Sequence, residues 1–155
     1  MDGAGDMAKE GSKAKGYLLV VLALAGVLIY LFAGRVEVSI EEDSFTAEGT
    51  LSAPVTINYS DIDEYELRDA IVSGNRSFGL SIRKTATGEY SSPAFGAYTL
   101  LAYKDVHKFI VIRHSEGVLV FNLSSEEETV NCFEQISEKM EAPQSADPSV
   151  EASLQ

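Results

Sequence analysis

Two patterns of hydrophobic residues divide the chain. Between Gly16 and Gly34 the residues are uncharged and mostly apolar, and Lys15 and Arg35 flank this run on either side. Beyond Arg35, apolar and polar residues alternate in short runs, as in strands with one buried face. Near the C-terminus the spacing changes to three and four residues, as in an amphipathic helix. The pattern predicts one apolar helix followed by a mainly β domain that ends in one helix.

The apolar run is predicted to cross a membrane once. As a helix it extends about 28 Å, which matches the roughly 30 Å hydrocarbon core of a bilayer, and a helix satisfies its own backbone hydrogen bonds in lipid. A cleaved signal peptide is the alternative, but its apolar core has only about 7–15 residues and ends in small residues. Here the run ends in the bulky sequence Tyr30-Leu31-Phe32. We therefore favour a transmembrane helix over residues 16–34.

The charges beside the apolar run predict its orientation. Lys9, Lys13 and Lys15 precede it, whereas after Arg35 no basic residue follows for more than thirty positions. Because basic flanks are retained on the inner side of the membrane, we expect a cytoplasmic N-terminus and an extracytoplasmic C-terminal domain. Residues 1–15 are rich in small and polar residues and are predicted to be a disordered cytoplasmic tail.

Short β-rich runs fill most of the chain after the membrane segment. The residues 71–93 break this pattern with three glycines and many hydroxyl side chains, which predicts a long loop or an irregular hairpin. The last three runs are predicted to form a three-stranded antiparallel unit, with Gly117 in the turn between the final two. The predicted strands cover residues 36–40, 45–48, 55–59, 62–68, 98–103, 109–113 and 118–121.

A helix is predicted directly after the last strand. Ser124 with Glu127, or Ser125 with Glu128, has the spacing of a capping box, and acidic residues fill the first turn. An apolar stripe follows that is suited to packing on a sheet or to closing the end of a barrel, and we expect it to cover the second face of the sheet. Beyond Glu141 the Pro-, Ser- and Ala-rich composition predicts a disordered tail over residues 141–155. The stripe consists of Val130, Phe133, Ile136 and Met140.

The charge of the chain limits its partners. The 24 acidic and 12 basic residues give a net charge of −12, and residues 1–15 hold three of each, so the C-terminal domain carries the whole excess. An acidic domain is a poor ligand for nucleic acid, because nucleic-acid binding depends on basic patches. We therefore expect a protein or peptide partner, in addition to the membrane itself.

The basic residues of the weakly patterned segment are candidates for a binding site. Arg76, Phe78, Arg83 and Lys84 form the predicted partner-binding group, on a loop held by a rigid scaffold. The alternative is that these side chains only solvate an ordinary loop.

Catalysis is not expected from this sequence. His107 and His114 flank one predicted strand and so lie at opposite ends of it, which disfavours a shared metal ion. Cys132, beside the apolar stripe of the helix, is interpreted as a small buried hydrophobe, because no basic neighbour lowers its pKa. We predict no catalytic residues, no metal site and no cofactor.

Several segments resemble a known family. Tyr59-Ser60-Asp61-Ile62-Asp63-Glu64-Tyr65-Glu66-Leu67, Gly74-Asn75-Arg76-Ser77-Phe78-Gly79, Pro93-Ala94-Phe95-Gly96-Ala97-Tyr98 and the hairpin Lys108–Asn122 are similar to the membrane-anchored members of the bacterial PH (pleckstrin-homology-like) domain family. The resemblance covers about residues 36–140. It implies a PH-like antiparallel barrel or sandwich, capped by the C-terminal amphipathic helix, that binds without catalysing a reaction.

PH-like folds bind lipids, peptides and proteins, so the resemblance alone does not select the ligand. The first predicted hairpin loop contains Glu41, Glu42 and Asp43 instead of a basic cluster, which argues against phosphoinositide binding. We expect a single-pass membrane protein that presents a binding domain to a protein or peptide partner in the cell envelope. The alternatives are a module that docks on lipid headgroups through the same basic residues, and a cytoplasmic regulator with inverted topology.

Overall fold

The computed structural model describes the backbone of residues 4–82 and 84–142, and the side chains of residues 15–30, 34–82 and 84–142. The chain forms two compact units, Met1–Gly34 and Arg35–Gln155. Nearly all of the predicted disordered tail after Glu141 lies outside the described residues. Arg83 also lies outside them.

The first unit contains one helix, α1, over Ala4–Ala33. The helix begins well before Gly16, where the apolar run starts. In the part of the chain that the structure describes, no helix has both the length and the apolar character needed to cross a membrane. The side chains of residues 1–14 and 31–33 lie outside the description, so the membrane span and the disordered tail stay predictions.

The second unit is mainly β. Within its described residues, nine strands precede a second helix, α2, over Glu126–Glu141, and a short 3-10 helix, Tyr59–Asp61, follows the third strand. Each strand predicted from alternation is found. The strands are β1 Val36–Ile40, β2 Ser44–Gly49, β3 Val55–Asn58, β4 Ile62–Arg68, β5 Asn75–Ser81, β6 Thr85–Ser92, β7 Gly96–Tyr103, β8 Phe109–His114 and β9 Gly117–Phe121.

The strands form two sheets that pack face to face and are not closed into a barrel. β1, β2 and β3 make an antiparallel meander, and the other six strands make a sheet in the order β4-β8-β9-β7-β6-β5. The predicted three-stranded antiparallel unit is wrong in one respect, because β7 pairs with β9 in parallel. After β7 the chain crosses over to form β8 two positions away, and β9 then returns to the position between β8 and β7. As a result β8 lies between β9 and β4.

The weakly patterned segment is a hairpin, formed by β5 and β6. Gly79 and Gly88 face each other across it with φ angles of 115° and 129°. A Cβ atom on Gly88 would lie 2.5 Å from the Cα atom of Gly79 and 2.3 Å from the carbonyl oxygen of Phe78. Both positions therefore need glycine. The register also shifts at a bulge between Arg76 and Phe78, and these features explain why the segment lacks a strand pattern in the sequence.

The main core lies between the two sheets and beneath α2. Phe45 and Phe121, from opposite sheets, are fully buried with ring centroids 6.0 Å apart. Cys132 and Ile136 of α2 belong to the same cluster. The predicted covering of the second face of the large sheet by α2 is therefore wrong, since α2 packs on the face that already meets the meander.

The start of α2 follows one of the two predicted capping arrangements. Ser125 is the N-cap, and its side-chain oxygen accepts a hydrogen bond from the backbone nitrogen of Glu128 at 3.1 Å. The buried positions of the helix are Thr129, Cys132 and Ile136. Compared with the predicted stripe, the buried face is rotated toward Cys132, and the other three predicted members are only partly buried.

Candidate binding cleft

The second face of the large sheet carries its own apolar cluster. Residues on this face alternate with the main-core residues along β7, β8 and β9, as strand geometry requires. The cluster includes Val111 and Val120 of the central strands, which are at most 1% exposed. Its buried members are Ala86, Tyr90, Phe95, Tyr98, Leu100, Ala102, Val111 and Val120.

One wall of this face is formed by residues 71–74, which connect β4 to β5. Ile71 packs against the apolar cluster. The Tyr98 hydroxyl donates a hydrogen bond of 2.5 Å to the carbonyl oxygen of Ser73. Gly74 has a φ of 67°, and a Cβ atom there would lie 2.1 Å from the carbonyl oxygen of Ser91. The wall is thus held by the packing of Ile71, by the hydrogen bond from Tyr98 and by a close backbone approach that requires glycine at position 74.

Tyr98 is suited to hold the wall because its phenol stays protonated. Burial, and secondarily the neighbouring Tyr90, raise the pKa of Tyr98 to about 12. The two rings are 6.0 Å apart. The hydroxyl therefore remains a hydrogen-bond donor at any physiological pH.

Phe95 covers another part of the second face, and two arginines stack on it. The guanidinium carbons of Arg68 and Arg113 lie 5.2 and 5.7 Å from the centre of its ring, within the range of cation–π contacts. Each arginine also forms an ion pair with a nearby glutamate, Arg68 with Glu66 at 2.6 Å and Arg113 with Glu64 at 3.1 Å. These two cations are already neutralised, so they serve the packing of Phe95.

Between the wall and strands β5 to β8 lies a cleft of about 670 Å³. Its floor is apolar, and its cationic side chains are Arg76 of β5 and Lys104, which directly follows β7. Among the described residues that line the cleft, none carries a carboxylate. The lining residues are Ile71, Ser73, Gly74, Arg76, Ser81, Ala86, Tyr90, Leu100, Ala102, Tyr103, Lys104 and Phe109.

The two cations of the cleft, like Lys84 and Lys139, are described bases of the domain that form no ion pair. Among the described residues, the ion pairs join Arg35 to Glu37, Arg68 to Glu66, Lys108 to Asp69 and Arg113 to Glu64, and neither cleft cation takes part. Lys104 instead donates from Nζ to the carbonyl oxygen of Ile82 at 2.5 Å. A neutral carbonyl positions the ammonium group without cancelling its charge.

The structure separates the predicted partner-binding residues. Arg76 pairs with Tyr90 and lines the cleft, whereas Phe78 pairs with Glu89. The Glu89 carboxylate accepts a hydrogen bond from Thr99 at 2.9 Å, on the opposite face from Tyr90. Because directly paired residues share a face, the bulge places Arg76 and Phe78 on opposite sides of the sheet.

Of the remaining members of the predicted group, Lys84 lies in the turn between β5 and β6. Lys84 is exposed, and its carbonyl oxygen accepts a 2.8 Å hydrogen bond from the backbone of Lys104. Arg83 lies outside the described residues. The sequence prediction missed Lys104, which is twenty positions from Lys84. Its only signal was a basic residue at the end of a predicted strand.

The other reactive residues form no site in the described structure. Cys132 is buried, and burial raises the pKa of its thiol to about 11, so that the nucleophilic thiolate is disfavoured. His107 precedes β8 and His114 ends it. Within the described residues, no group of three or more His, Cys, Asp or Glu side chains could hold a metal ion.

A comparison with known families identifies the domain. The description "Bacterial PH domain" matches residues 36–126, which include all nine strands and the first residue of α2. A search among curated proteins and a search among solved structures each gave no match. PH-like domains are generally non-catalytic binding modules. Since the match covers more than half of the sequence and agrees with the resemblance of its motifs, the chain belongs to the bacterial PH domain family.

Proposed function

We propose that this protein is a non-catalytic binding module that captures a protein or peptide segment in the cleft on the second face of its large sheet. The observation that carries the proposal is the cleft itself, with an apolar floor, a fixed wall and two cations that have no carboxylate partner among the described residues. Ligand sites are typically concave and apolar, with a few polar groups that orient the ligand.

The surface beside the cleft supports a macromolecular partner. Val72 lies in the wall, between residues that line the cleft, and 71% of its side chain is exposed. Within the described part of the domain, the other large exposed hydrophobic residues are Leu51 and Phe78. An apolar side chain at the mouth of an apolar cleft extends the contact area beyond what a small molecule would use.

The membrane part of the proposal rests on the sequence and on α1. The large apolar side chains between Tyr17 and Tyr30 are 53–73% exposed. A bilayer would bury them, and the lysines before the run favour a cytoplasmic N-terminus. A reporter enzyme fused after Gln155 should then be active only outside the cytoplasm. Replacement of Lys9, Lys13 and Lys15 by Gln should weaken this orientation, whereas a cytoplasmic reporter in the unaltered protein would contradict it.

The binding function is tested by selecting peptides from a random library on the full chain, purified in neutral detergent. Ser81→Trp places an indole at an exposed position that lines the cleft, opposite Ala86. Ser39→Trp makes the same change at an exposed position of β1, outside the cleft. We expect the selected peptides to bind the unaltered protein and Ser39→Trp equally, and Ser81→Trp at least about tenfold more weakly, which corresponds to about 1.4 kcal/mol. Failure to enrich any peptide, or equal binding by Ser81→Trp, would reject the cleft as the site.

A further inference from the structure

The cleft has the opposite charge from the domain that contains it. From Arg35 to the C-terminus the sequence has 21 acidic and nine basic residues, yet both charged side chains that line the cleft are basic. Four of the other described bases are neutralised in ion pairs. Within the described residues, two of the four domain bases that form no ion pair, Arg76 and Lys104, therefore line the cleft, and a third, Lys84, is joined to Lys104 by a backbone hydrogen bond.

From this distribution we infer that the cleft selects an extended peptide segment that places carboxylates beside apolar side chains, with one carboxylate bound by Arg76 and another by Lys104. Arg76 lies beside Tyr90, near the start of β7, whereas Lys104 follows the end of β7, so the two cations face different positions of an extended peptide. The inference rests on the proposed function and specifies the chemistry of its ligand. The apolar side chains would contact Leu100, Ala102 and Phe109 on the floor.

The chemistry of the two cations favours a carboxylate over a neutral polar group. The guanidinium of Arg76 offers donors in a planar fork that matches a carboxylate, and hydrogen bonds between ionised partners are shorter and stronger than neutral ones. Lys104 is held by the Ile82 carbonyl oxygen, so its ammonium group loses little freedom when a ligand binds. It retains two further donors for that ligand.

The net charge of the domain and the charge of the cleft favour ligands of opposite charge. The long-range field of an acidic domain attracts basic peptides and repels acidic ones. If the general field decided selection, the bound peptides would be basic, whereas contact with the two cleft cations selects acidic peptides. The two expectations are opposite in sign, so that the composition of the bound peptides distinguishes them.

The test compares peptide selections on the full chain and on two variants, Arg76→Gln and Lys104→Gln. Arg76 is exposed, so its replacement should leave folding intact. Lys139→Gln removes the same charge from the last turn of α2, outside the cleft, and is the matched control. We expect acidic residues to be enriched on the unaltered protein and on Lys139→Gln, and this enrichment to fall on Arg76→Gln and on Lys104→Gln.

Synthetic peptides then identify the source of the carboxylate. A capped hexapeptide of alternating leucine and glutamate is compared with its leucine–glutamine and leucine–lysine versions, and with a leucine–glutamine version that has a free C-terminal carboxylate. Binding to the unaltered protein is measured by fluorescence anisotropy. At least one of the two peptides that carry a carboxylate should bind at least about tenfold more tightly than the capped leucine–glutamine peptide. If only the free C-terminus confers this gain, the bound group is a chain terminus; if only the glutamates do, it is a side chain.

The two proposals fail in different ways. Selected peptides that are neutral or basic, and that Ser81→Trp still excludes, would overturn the carboxylate inference and leave the binding function intact. Acidic enrichment that persists undiminished on Arg76→Gln and on Lys104→Gln would also overturn it. The absence of any selected peptide would reject the binding function, and the inference with it.

Discussion

Asn122 connects two parts of the large sheet through one buried side chain. Its Oδ1 atom accepts from the backbone nitrogen of Tyr103 at 2.6 Å, and its Nδ2 atom donates at 3.1 Å to the carbonyl oxygens of Tyr103 and of Val106. The side chain is fully buried. It therefore satisfies the backbone where β7 ends and the connection to β8 begins, beside the end of β9.

Replacement of Asn122 by Leu should destabilise the domain by at least about 2 kcal/mol. Leucine has a volume similar to that of asparagine, but one backbone nitrogen and two carbonyl oxygens lose their hydrogen-bond partner. An unsatisfied buried polar group costs about 1–3 kcal/mol. Urea unfolding measures the change. Asn131→Leu on the exposed side of α2 is the control, with an expected change within about 0.5 kcal/mol. Equal stability of the two variants would mean that Asn122 does not hold this junction.

Tyr98 should make the domain sensitive to high pH. Because its pKa rises from 10.0 to about 12 on folding, the folded protein holds the phenol proton more tightly than the unfolded chain. The stabilisation is complete below pH 10 and is lost as the pH rises through about 12. Tyr98→Phe should therefore lose less stability than the unaltered protein between pH 10 and pH 12, as measured by urea unfolding.

This comparison isolates Tyr98 from the other groups that titrate in the same range. Burial also raises the pKa of Cys132 and of Tyr59, and both remain in the Tyr98→Phe variant. At pH 8 the variant should be less stable by about 1 kcal/mol, from the lost hydrogen bond to Ser73. Parallel stability curves for the two proteins would show that Tyr98 keeps its ordinary pKa.

Among the elements, α2 was predicted to begin and end close to its observed bounds. Its capping serine, its acidic first turn and its apolar spacing are all local signals. The face that it buries was predicted less well, because the spacing allows several adjacent stripes and only the contact with the sheets selects among them. Phe133 contacts the ring of Tyr65 with centroids 5.7 Å apart but remains partly exposed.

The buried face of α2 predicts an order of mutational effects. Ile136→Ala should cost about 2–5 kcal/mol, as the truncation of a fully buried aliphatic side chain does. Phe133→Ala should cost less than the 3–5 kcal/mol typical of a fully buried aromatic, because its ring keeps contact with solvent. Gln135→Ala, on the exposed side, is the control. Thermal or urea unfolding gives the order, and a larger loss at Phe133 than at Ile136 would place the buried stripe where the sequence first suggested.

The strands show where sequence patterns stop being informative. The pattern of apolar and polar residues predicts β1 to β4 and β7 to β9, because each of these strands buries one face or both. It left β5 and β6 as an uncertain segment, since Gly79, Gly88 and a bulge interrupt the period of two. The parallel pairing of β7 with β9 had no local signal, because pairing partners depend on the path of the whole chain.

The candidate cleft was predictable only in part, for the same reason. Arg76 was identified from the basic content of its segment. Lys104, Tyr98 and the wall that Tyr98 holds come from distant parts of the sequence and meet only in the folded sheet. Phe78 was grouped with Arg76 by proximity in sequence, and the bulge between them directs it to the other face.

At the scale of the whole molecule, charge distinguishes a peptide partner from a lipid surface. Both apolar clusters lie within residues 36–140, so the fragment Arg35–Gln155 contains its complete core. Its net charge of −12 should repel anionic vesicles, whereas each base near a membrane contributes only about 1 kcal/mol of attraction. We expect negligible flotation of this fragment with anionic liposomes at physiological salt.

Zwitterionic vesicles serve as the control for this measurement, and the fragment should behave alike with both. Flotation with anionic vesicles that declines with added salt, and that disappears when Arg76 and Lys84 are replaced by Glu, would instead favour a domain that docks on lipid headgroups.

The pairing of β4 with β8 has a consequence for how the protein is made. β4 is complete at Arg68, but its partner begins only at Phe109. At the usual rate of about 5–20 residues per second, the ribosome needs about 2–8 s to synthesise the intervening chain. During this interval the nascent β4 has no partner in its own sheet. Its acidic residues, Asp63, Glu64 and Glu66, would keep the waiting strand from pairing with the nascent chains of neighbouring ribosomes.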